Sequence, residues 1–418
     1  MSKRSHSIHA GIFAMLCVGL MYFLHHLPVN QLFIDPFSEA IKQHDIMDIA
    51  FSKFRNHNKT HLFDNRIFVV NSGLTNREKL AQTINLLNEK GAQSIGLDIL
   101  IDTFYQTKAD TLLKEAIQKA STKIILGYTL NKDFNNHTPT INFNSHPFFS
   151  AGIANGYVNL ATNDGFSVRA FVPTIEIEKK LNLAFSTHLV SKVDTSIIPI
   201  LKNRKHTSEW INFRRVQPGP RSMEFPINSG KASHYMLLDI DKFLADSALY
   251  DSTFLKNKIV LIGFCGETEN SFSMNDRYFT PLNEQYTGRS LPDMYGITIH
   301  ANIISMLLDK DFIEDIPSSI IYFLGFLIFF INYLTFKRII KKYNFMQRIF
   351  IRLFQIFEFV MLFTLAILLL VFWSWKLSFF FIATAIILSY ELYEIYERKL
   401  DDLIERGISK LITKKSKY

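Results

Sequence analysis

Hydrophobic residues follow two different patterns along the 418-residue chain. From residue 66 to residue 127, short β-branched apolar runs alternate with amphipathic stretches, which predicts strands alternating with helices. Residues 10–24 and the chain after Pro317 instead carry long apolar runs, which are typical of membrane-spanning helices. The pattern therefore predicts a globular domain between hydrophobic segments.

The first half of the globular part has the strongest pattern. Its strands are predicted over residues 66–70, 94–101 and 123–127, with helices over 75–90 and 110–120 between them. These strands are apolar almost throughout, which favours parallel pairing with helices on both faces of the sheet. The predicted fold is therefore α/β, with a mixed, mainly parallel sheet flanked by helices. Further strands are predicted over residues 156–160, 168–172, 210–213 and 258–263, and further helices over 181–190 and 237–248.

One stretch links the globular part to the apolar C-terminal part. It begins with the predicted strand of residues 258–263 and continues through a polar loop that contains Asp276. A turn, a short strand and a helix are predicted over residues 292–308, and an apolar run follows Pro317. This stretch is the shortest covalent route from the sheet to the predicted membrane helices.

Four transmembrane helices are predicted. The first, at residues 10–24, follows a basic N-terminus, and it is either an uncleaved anchor or a signal peptide. His25-His26-Leu27-Pro28 lacks a small-residue cleavage pattern, which favours the anchor. The other three are predicted at residues 318–336, 353–373 and 377–393.

The formal net charge of +8 includes three basic clusters next to the apolar runs. Lys3 and Arg4 precede the first run, residues 337–348 hold five Lys or Arg and no acid, and residues 410–418 hold four Lys. The positive-inside rule then predicts that both termini are cytoplasmic and that the large domain is outside. Because no basic stripe with interleaved aromatics occurs, we expect no nucleic-acid binding.

These patterns divide the chain into four predicted parts. Residues 1–29 form a cytoplasmic tip and anchor, residues 30–316 the extracytoplasmic domain and residues 317–395 three membrane helices. Residues 396–418 form a basic tail whose apolar residues recur at spacings of three and four. This tail is predicted to be an amphipathic helix that either binds a partner or lies on the lipid bilayer.

A set of short motifs follows the same order as the predicted elements. The motifs are Gly91-Ala92 with Ile95-Gly96-Leu97-Asp98-Ile99-Leu100, Gly156-Tyr157-Val158-Asn159 with Asp164-Gly165 and Val168-Arg169, Ile211-Asn212-Phe213, Lys258 to Gly263, Asp276, Phe279-Thr280-Pro281, and Gly296-Ile297-Thr298-Ile299-His300-Ala301-Asn302. Together with the membrane layout, they resemble the type 2 CHASE family over residues 30–395. That family consists of extracytoplasmic sensory domains of bacterial membrane receptors.

The resemblance implies a sensor in the bacterial inner membrane, with its large domain on the periplasmic side. In the family, the sensory domain usually precedes a cytoplasmic kinase, cyclase or diguanylate-type module. Residues 396–418 are too few for a catalytic domain, so we expect a sensor that is not an enzyme and that signals to a partner protein in trans. The alternatives are a structural or docking subunit of a cell-envelope complex and an extracytoplasmic enzyme. The sequence leaves a homo-oligomer open.

Asp98 and Arg169 are the first candidates for ligand binding. Asp98 ends an apolar strand, and its carboxylate either faces a ligand crevice at the carboxyl edge of the sheet, caps the next element or pairs with Arg169. Arg169 follows the Asp164-Gly165 turn. Its guanidinium either binds an anionic group of the ligand or forms a structural ion pair.

Asp276, His300 and Asn302 complete the ligand-binding candidates. Asp276, Asp293 and His300 offer oxygen and nitrogen ligands, but they lack the spacing of a known metal site, so we expect no metal and no cofactor. His300 and Asn302 either contact the ligand or hydrogen-bond at the start of their own helix. No Gly-x-Ser-x-Gly elbow and no phosphate-binding glycine loop occurs, which argues against an enzyme.

Glu358 and the two cysteines require separate interpretation. Glu358 lies within the predicted span of residues 353–373, where a carboxylate is an intramembrane functional candidate. If the span begins later, Glu358 lies instead in the interfacial zone near Arg352. Cys17 is expected in the membrane and Cys265 in the globular domain, so we predict no intramolecular disulfide. We predict a buried thiol at Cys265.

Overall fold

The computed structural model describes residues 3–26, 45–54, 64–131, 139–160, 167–214, 235–250, 252–267, 273–283, 291–343 and 345–397. The chain divides into two compact units. Ile41–Ile313 is the globular unit, and Met1–Ala40 with Glu314–Tyr418 is the helical unit. The predicted turn at Asp164-Gly165 and residues 398–418 of the predicted tail lie outside the described residues.

Helices and strands are numbered along the chain. The helices are α1 (Lys3–His26), α2 (Ile46–Ile49, followed by a π-helical turn over Ala50–Phe54), α3 (Arg77–Glu89), α4 (Lys108–Lys119), α5 (Pro147–Ser150), α6 (Phe185–Ser191), α7 (Ile197–Arg204), α8 (Ile240–Ala245), α9 (Ser252–Leu255), α10 (Gly296–Asp309), α11 (Ser318–Lys342), α12 (Gln347–Trp373) and α13 (Phe379–Ile395). The strands are β1 (Ile67–Asn71), β2 (Ser94–Asp98), β3 (Ile124–Leu130), β4 (Ile141–Phe143), β5 (Asn155–Tyr157), β6 (Ala170–Phe171), β7 (Thr174–Ile177), β8 (Lys180–Leu183), β9 (Glu209–Trp210), β10 (Met236–Asp239), β11 (Ile259–Gly263), β12 (Arg277–Tyr278), β13 (Met294–Tyr295), β14 (Glu314–Asp315) and β15 (Trp375–Lys376).

A seven-stranded sheet forms the centre of the globular unit, with the order β10-β1-β11-β2-β3-β4 and with β5 also beside β3. Its neighbouring pairs are parallel except β3 with β4. Every residue of β1 and β11 is buried, as expected for apolar strands that are covered on both faces. The prediction of a mixed, mainly parallel α/β sheet is therefore confirmed.

Helices cover both faces of this sheet. On one face α3 packs against α4 and α8, and Val70 of β1 and Leu97 of β2 join their hydrophobic core. On the other face α6 packs against α10. Gly96 of β2 allows α6 to lie directly on the strand, because a β-carbon there would be 2.6 Å from the Phe185 ring. The globular unit is therefore built in three layers, with the sheet in the middle.

Two predicted helices begin later than their sequence pattern indicated. Residues 237–239 belong to β10, which pairs in parallel with β1 before α8 begins. Residues 181–183 belong to β8, which forms a hairpin with β7 before α6 begins. Short apolar runs suit a helix and a strand equally well, so pairing with a neighbouring strand decides between them.

Three helices of the helical unit are long and apolar enough to cross a membrane, namely α1, α11 and α12. The prediction of four such helices is therefore wrong in number for the described part of the chain. α13 has 17 residues. A helix of that length rises by about 26 Å, which is short of a hydrocarbon core of about 30 Å. Glu391 and Glu394 also interrupt the apolar pattern near its end.

Aromatic rings pack α1 against the other helices of this unit. The Phe13 ring of α1 lies 6.0 Å from the Phe329 ring and 5.4 Å from the Tyr333 ring of α11. It also lies 5.4 Å from the ring of Tyr396, which follows α13. α12 packs in turn against α11 and α13, so the helices form a bundle.

Candidate functional site

The carboxyl ends of four parallel strands lie side by side at one edge of the sheet. The register pairs Asn71 of β1 with Asp239 of β10 and with Gly263 of β11. It also pairs Gly263 with Asp98 of β2. Three of these four residues are polar, although the strands are largely apolar before this point. The sheet therefore presents a polar row at its carboxyl edge.

After β11 the chain crosses from one face of the sheet to the other. The connections after β1 and β2 lead to α3 and α4 on one face, whereas the chain after β11 leads to α10 on the other. Open α/β sheets bind ligands outside the carboxyl ends of the strands, at the point where the connections diverge in this way. The row that contains Asp98 therefore lies where a ligand site is expected.

Asp98 is a partly buried carboxyl group in this row. Within the described residues, no side chain or backbone group hydrogen-bonds to it or forms an ion pair with it. Burial, followed by the charge of the neighbouring Asp276 carboxylate, raises the pKa of Asp98 to about 8. Its carboxyl group is therefore available to a ligand.

Asp276 joins the loop after β11 to the start of α10. Its backbone carbonyl accepts a hydrogen bond from the Gly296 N–H at 2.9 Å. Its carboxylate lies against Gly296, where a β-carbon would be 2.9 Å from Oδ1. Burial raises the pKa of Asp276 to about 6, although a hydrogen bond with Tyr278 opposes the shift. The Asp276 carboxyl group thus lies at the N-terminal end of α10, where the helix dipole favours its charged form and partly offsets the effect of burial.

Asn71 and Asp239 also belong to this site, and the sequence analysis missed them. Asn71 Nδ2 donates to Asp239 Oδ1 at 2.7 Å, and Asn71 Oδ1 accepts from the Cys265 N–H at 2.7 Å. The predicted buried thiol of Cys265 is confirmed, because the residue is 3% exposed. Burial raises the pKa of this thiol. The signal that could have found Asn71 and Asp239 is their position directly after an apolar run, which they share with Asp98.

His300 and Asn302 lie inside α10 and make internal hydrogen bonds. His300 Nδ1 is 2.8 Å from Ser186 Oγ of α6. Burial lowers the pKa of His300 to about 4, although a hydrogen bond with the Val158 backbone opposes the shift. Asn302 Oδ1 accepts from the Arg214 N–H at 2.7 Å. The structure therefore places both residues in contacts that join α10 to the interior of the unit.

Arg169 is paired with Asp48, which lies in α2. Arg169 Nε donates to Asp48 Oδ1 at 3.0 Å, and an NH2 group of Arg169 donates to Oδ2 at 2.8 Å. Two hydrogen bonds therefore form this ion pair, and its arginine is buried, with 5% of its surface exposed. The structure thus brings Asp98 and Asp276 together and places Arg169 with another carboxylate.

Asp293, one of the side chains that could have bound a metal, forms internal hydrogen bonds instead. It accepts hydrogen bonds from the backbone N–H of Thr280 at 2.8 Å and from its hydroxyl at 2.5 Å. Burial raises the pKa of Asp293 to about 6. Across the described residues, no group of three or more His, Cys, Asp or Glu side chains has the arrangement of a metal site.

Glu358 lies in the helical unit. It is 7% exposed and belongs to α12, which begins at Gln347, so the carboxyl group lies well inside the helix. Asn332 Nδ2 of α11 donates to Glu358 Oε2 at 3.0 Å. Arg352, on the same helix, pairs instead with Glu391 of α13.

Comparison with known protein families identifies the domain. Residues 64–335, which are more than half of the chain, match the family model of the CHASE2 domain. The chain belongs to the CHASE2 family. CHASE2 domains are extracytoplasmic sensory domains, so the family agrees with a sensory role. Neither the search of curated proteins nor the search of solved structures returned a match.

Proposed function

We propose that this chain is a membrane-anchored sensor whose CHASE2 domain binds a small ligand, or senses an envelope signal, and signals to a partner protein in trans. The observation that carries the proposal is the position of Asp98 and Asp276 at the carboxyl edge of the sheet. Asp98 ends β2 beside Gly263 of β11, and Asp276 is hydrogen-bonded to the start of α10, which packs against β11. Asp98 precedes the connection from β2 to α4, and Asp276 lies in the connection from β11 to α10. The charge of Asp276 raises the pKa of Asp98.

The charge of the two carboxyl groups indicates the class of ligand. Burial raises the pKa of both carboxyl groups, and the charge of Asp276 raises the pKa of Asp98 further, so the pair retains a proton more readily than two solvent-exposed carboxyl groups do. A positive charge, or several hydrogen-bond donors, would replace that proton and reduce the repulsion between the carboxylates. The proposed ligand is therefore a small cation or a molecule rich in hydrogen-bond donors.

α10 provides the route from this site towards the apolar helices. It begins at Gly296 beside the Asp276 carboxylate and ends at Asp309, and residues 310–317 connect it to α11. A ligand that neutralises Asp276 changes the electrostatic interaction of this carboxylate with the N-terminal end of α10. Ligand binding would thus act on the element that leads along the chain to the first C-terminal apolar helix.

The proposed location is the bacterial inner membrane, with the CHASE2 domain on the periplasmic side. The basic clusters at the N-terminus and at residues 337–348 support a cytoplasmic position for both. The lysines of residues 410–418 support a cytoplasmic C-terminus. If α1, α11 and α12 all cross, this position requires α13 to cross as well, despite its length of 17 residues. The proposed partners are the lipid bilayer, a protein in trans and a second copy of the chain, and the proposal assigns no catalytic step and no nucleic acid.

A docking subunit of an envelope complex is the second candidate, and β4 favours it. This strand lies at an edge of the sheet, and its residues Ile141 and Phe143 are 51% and 56% exposed. An exposed apolar edge strand can pair with a strand of another protein.

Thermal unfolding of the purified full-length chain in detergent distinguishes the two functions. Diamines, amino acids and divalent cations are screened, and we expect one class to raise the unfolding midpoint. The shift should be lost in Asp98→Asn and kept in Asp102→Asn, because Asp102 is an exposed carboxylate on the same connection. If no compound shifts the midpoint, and envelope proteins co-purify only while Ile141 and Phe143 are intact, the docking function is the correct one.

A further inference from the structure

Four polar side chains meet inside the helical unit. Asn332 of α11 donates through Nδ2 to Glu358 Oε2 of α12 at 3.0 Å and to Ser389 Oγ of α13 at 3.1 Å. Gln355 of α12 donates through Nε2 to the same Ser389 Oγ at 3.1 Å. All four residues are buried. This cluster therefore joins three helices by hydrogen bonds away from solvent.

Every hydrogen that the neutral side chains of this cluster can donate is already used. Asn332 uses its two amide hydrogens on Glu358 and Ser389. Gln355 uses its two on Ser389 and the Ile386 carbonyl, and the Ser389 hydroxyl donates to that same carbonyl. Asn332 Oδ1 is nevertheless buried and has no hydrogen-bond partner among the described residues. The cluster lacks one donor.

No cation in the described residues compensates a negative charge on Glu358. The nearest cation along α12, Arg352, pairs with Glu391 at 2.6 Å, and Lys337 of α11 pairs with Glu397 at 3.1 Å. Burial of an ionised carboxylate without a cationic partner is strongly unfavourable, and apolar helices around it make it more so. A neutral, protonated carboxyl group avoids the cost and also supplies a hydrogen-bond donor.

We propose that Glu358 is a proton-binding site within the helical unit. The proton resides on the Glu358 carboxyl group, and its O–H is the donor that the cluster lacks. This site is independent of the CHASE2 crevice, because its ligand is a proton and its groups come from α11, α12 and α13.

A polar path connects the site to the surface of the bundle. Arg352 donates to Gln355 Oε1 at 2.9 Å, and Gln355 is the member of the cluster that hydrogen-bonds to Ser389. Arg352 and Glu391 have half-exposed side chains. Arg352, Gln355 and Glu358 recur at a spacing of three, which places them on one side of α12. The path marks the side from which water and a proton reach Glu358.

Loss of the Glu358 proton is expected to weaken the packing of the helices around this cluster. With the proton bound, the contacts among Asn332, Glu358 and Ser389 are between neutral groups. Loss of the proton leaves a charge between three apolar helices, which favours a looser arrangement that admits water. We therefore expect loss of the proton to loosen the contacts among α11, α12 and α13.

Infrared difference spectroscopy of the full-length chain in lipid tests the assignment. Glu358→Gln keeps the size and the acceptor oxygen of the side chain, and we expect this variant to lose a C=O stretching band of a protonated carboxylic acid. The control, Glu314→Gln, removes an exposed carboxyl group of the same unit and should lose carboxylate bands alone. Loss of carboxylate bands alone in Glu358→Gln overturns the proposal.

A second measurement uses the unaltered protein, in case Glu358→Gln fails to fold. Dicyclohexylcarbodiimide modifies protonated carboxyl groups in apolar surroundings, and peptide mass spectrometry locates the adduct. We expect modification at Glu358 and none at Glu391, which is exposed and paired with Arg352. Modification of Glu391 with none at Glu358, or protection of Glu358 by sodium ions, would contradict proton binding.

Discussion

The carboxylate of Asp276 lies so close to the α-carbon of Gly296 that a β-carbon on Gly296 would be 2.9 Å from Oδ1 and 3.0 Å from Oδ2. Gly296→Ala must therefore displace this carboxylate from the start of α10. We expect the free energy of unfolding of the full-length chain to fall by about 1–2 kcal/mol in urea denaturation.

A double-mutant cycle separates this contact from other effects of the added methyl group. In an Asp276→Ala background the carboxylate is absent, so Gly296→Ala should cost close to nothing or stabilise α10, because Ala has the higher helix propensity. Equal losses in the two backgrounds would show that Asp276 is not what restricts Gly296.

The raised pKa of Asp98 makes the stability of the CHASE2 domain depend on pH. The pKa is 3.8 in the reference state and about 8 in the folded domain, so the folded state binds the proton more tightly. The contribution of this proton to the free energy of unfolding is complete below pH 3.8 and is lost as the pH rises through about 8. Asp98→Asn should remove the decline and be more stable than the wild type in mildly alkaline buffer by about 1–3 kcal/mol. A decline of the same size in both proteins, measured by urea denaturation, would count against the assignment.

His300 produces the opposite dependence at acidic pH. Its pKa is 6.5 in the reference state and about 4 in the buried site, so its contribution is present above pH 6.5 and is lost as the pH falls through about 4. His300→Gln should reduce the loss of stability at acidic pH (the acid limb). It should also lower the stability at neutral pH by about 1–3 kcal/mol, because the contact with Ser186 is disturbed. The exposed His206 is the control, since His206→Gln should leave the acid limb in place.

Cys265 should resist thiol reagents in the native protein. It is 3% exposed and its thiol pKa is raised, so little reactive thiolate is accessible. We expect slow labelling by a membrane-impermeant maleimide before denaturation and full labelling after it. Leu249→Cys, at a position that is 73% exposed, provides a positive control for reagent access. Equally fast labelling at the two positions would show that the loop after β11 opens in solution.

Reporter fusions test the proposed orientation. Fusions after Lys342 and after Tyr418 should both report the cytoplasm, and an insertion within residues 131–140 should report the outside. A cytoplasmic signal after Lys342 combined with an outside signal after Tyr418 would mean that α13 does not cross, in agreement with its 17 residues.

The pattern of apolar and polar residues was enough to predict most of the local elements and the division of the chain. Continuous apolar runs predicted the buried parallel strands, since a strand that is covered on both faces has no polar side. The same analysis predicted the long apolar helices, but it counted the short α13 with them. The order of the CHASE2 motifs also predicted the family, which the match over residues 64–335 confirms.

Which of the candidate residues come together depends on contacts that form when the chain folds. Insertion of β11 between β1 and β2 brings Asp98 near Asp276, although nearly half of the chain separates them in sequence. Packing of α10 against α6 turns His300 into an internal contact. The docking of α2 gives Arg169 an ion-pair partner. These outcomes depend on contacts between distant segments, and local spacing carries no information about such contacts.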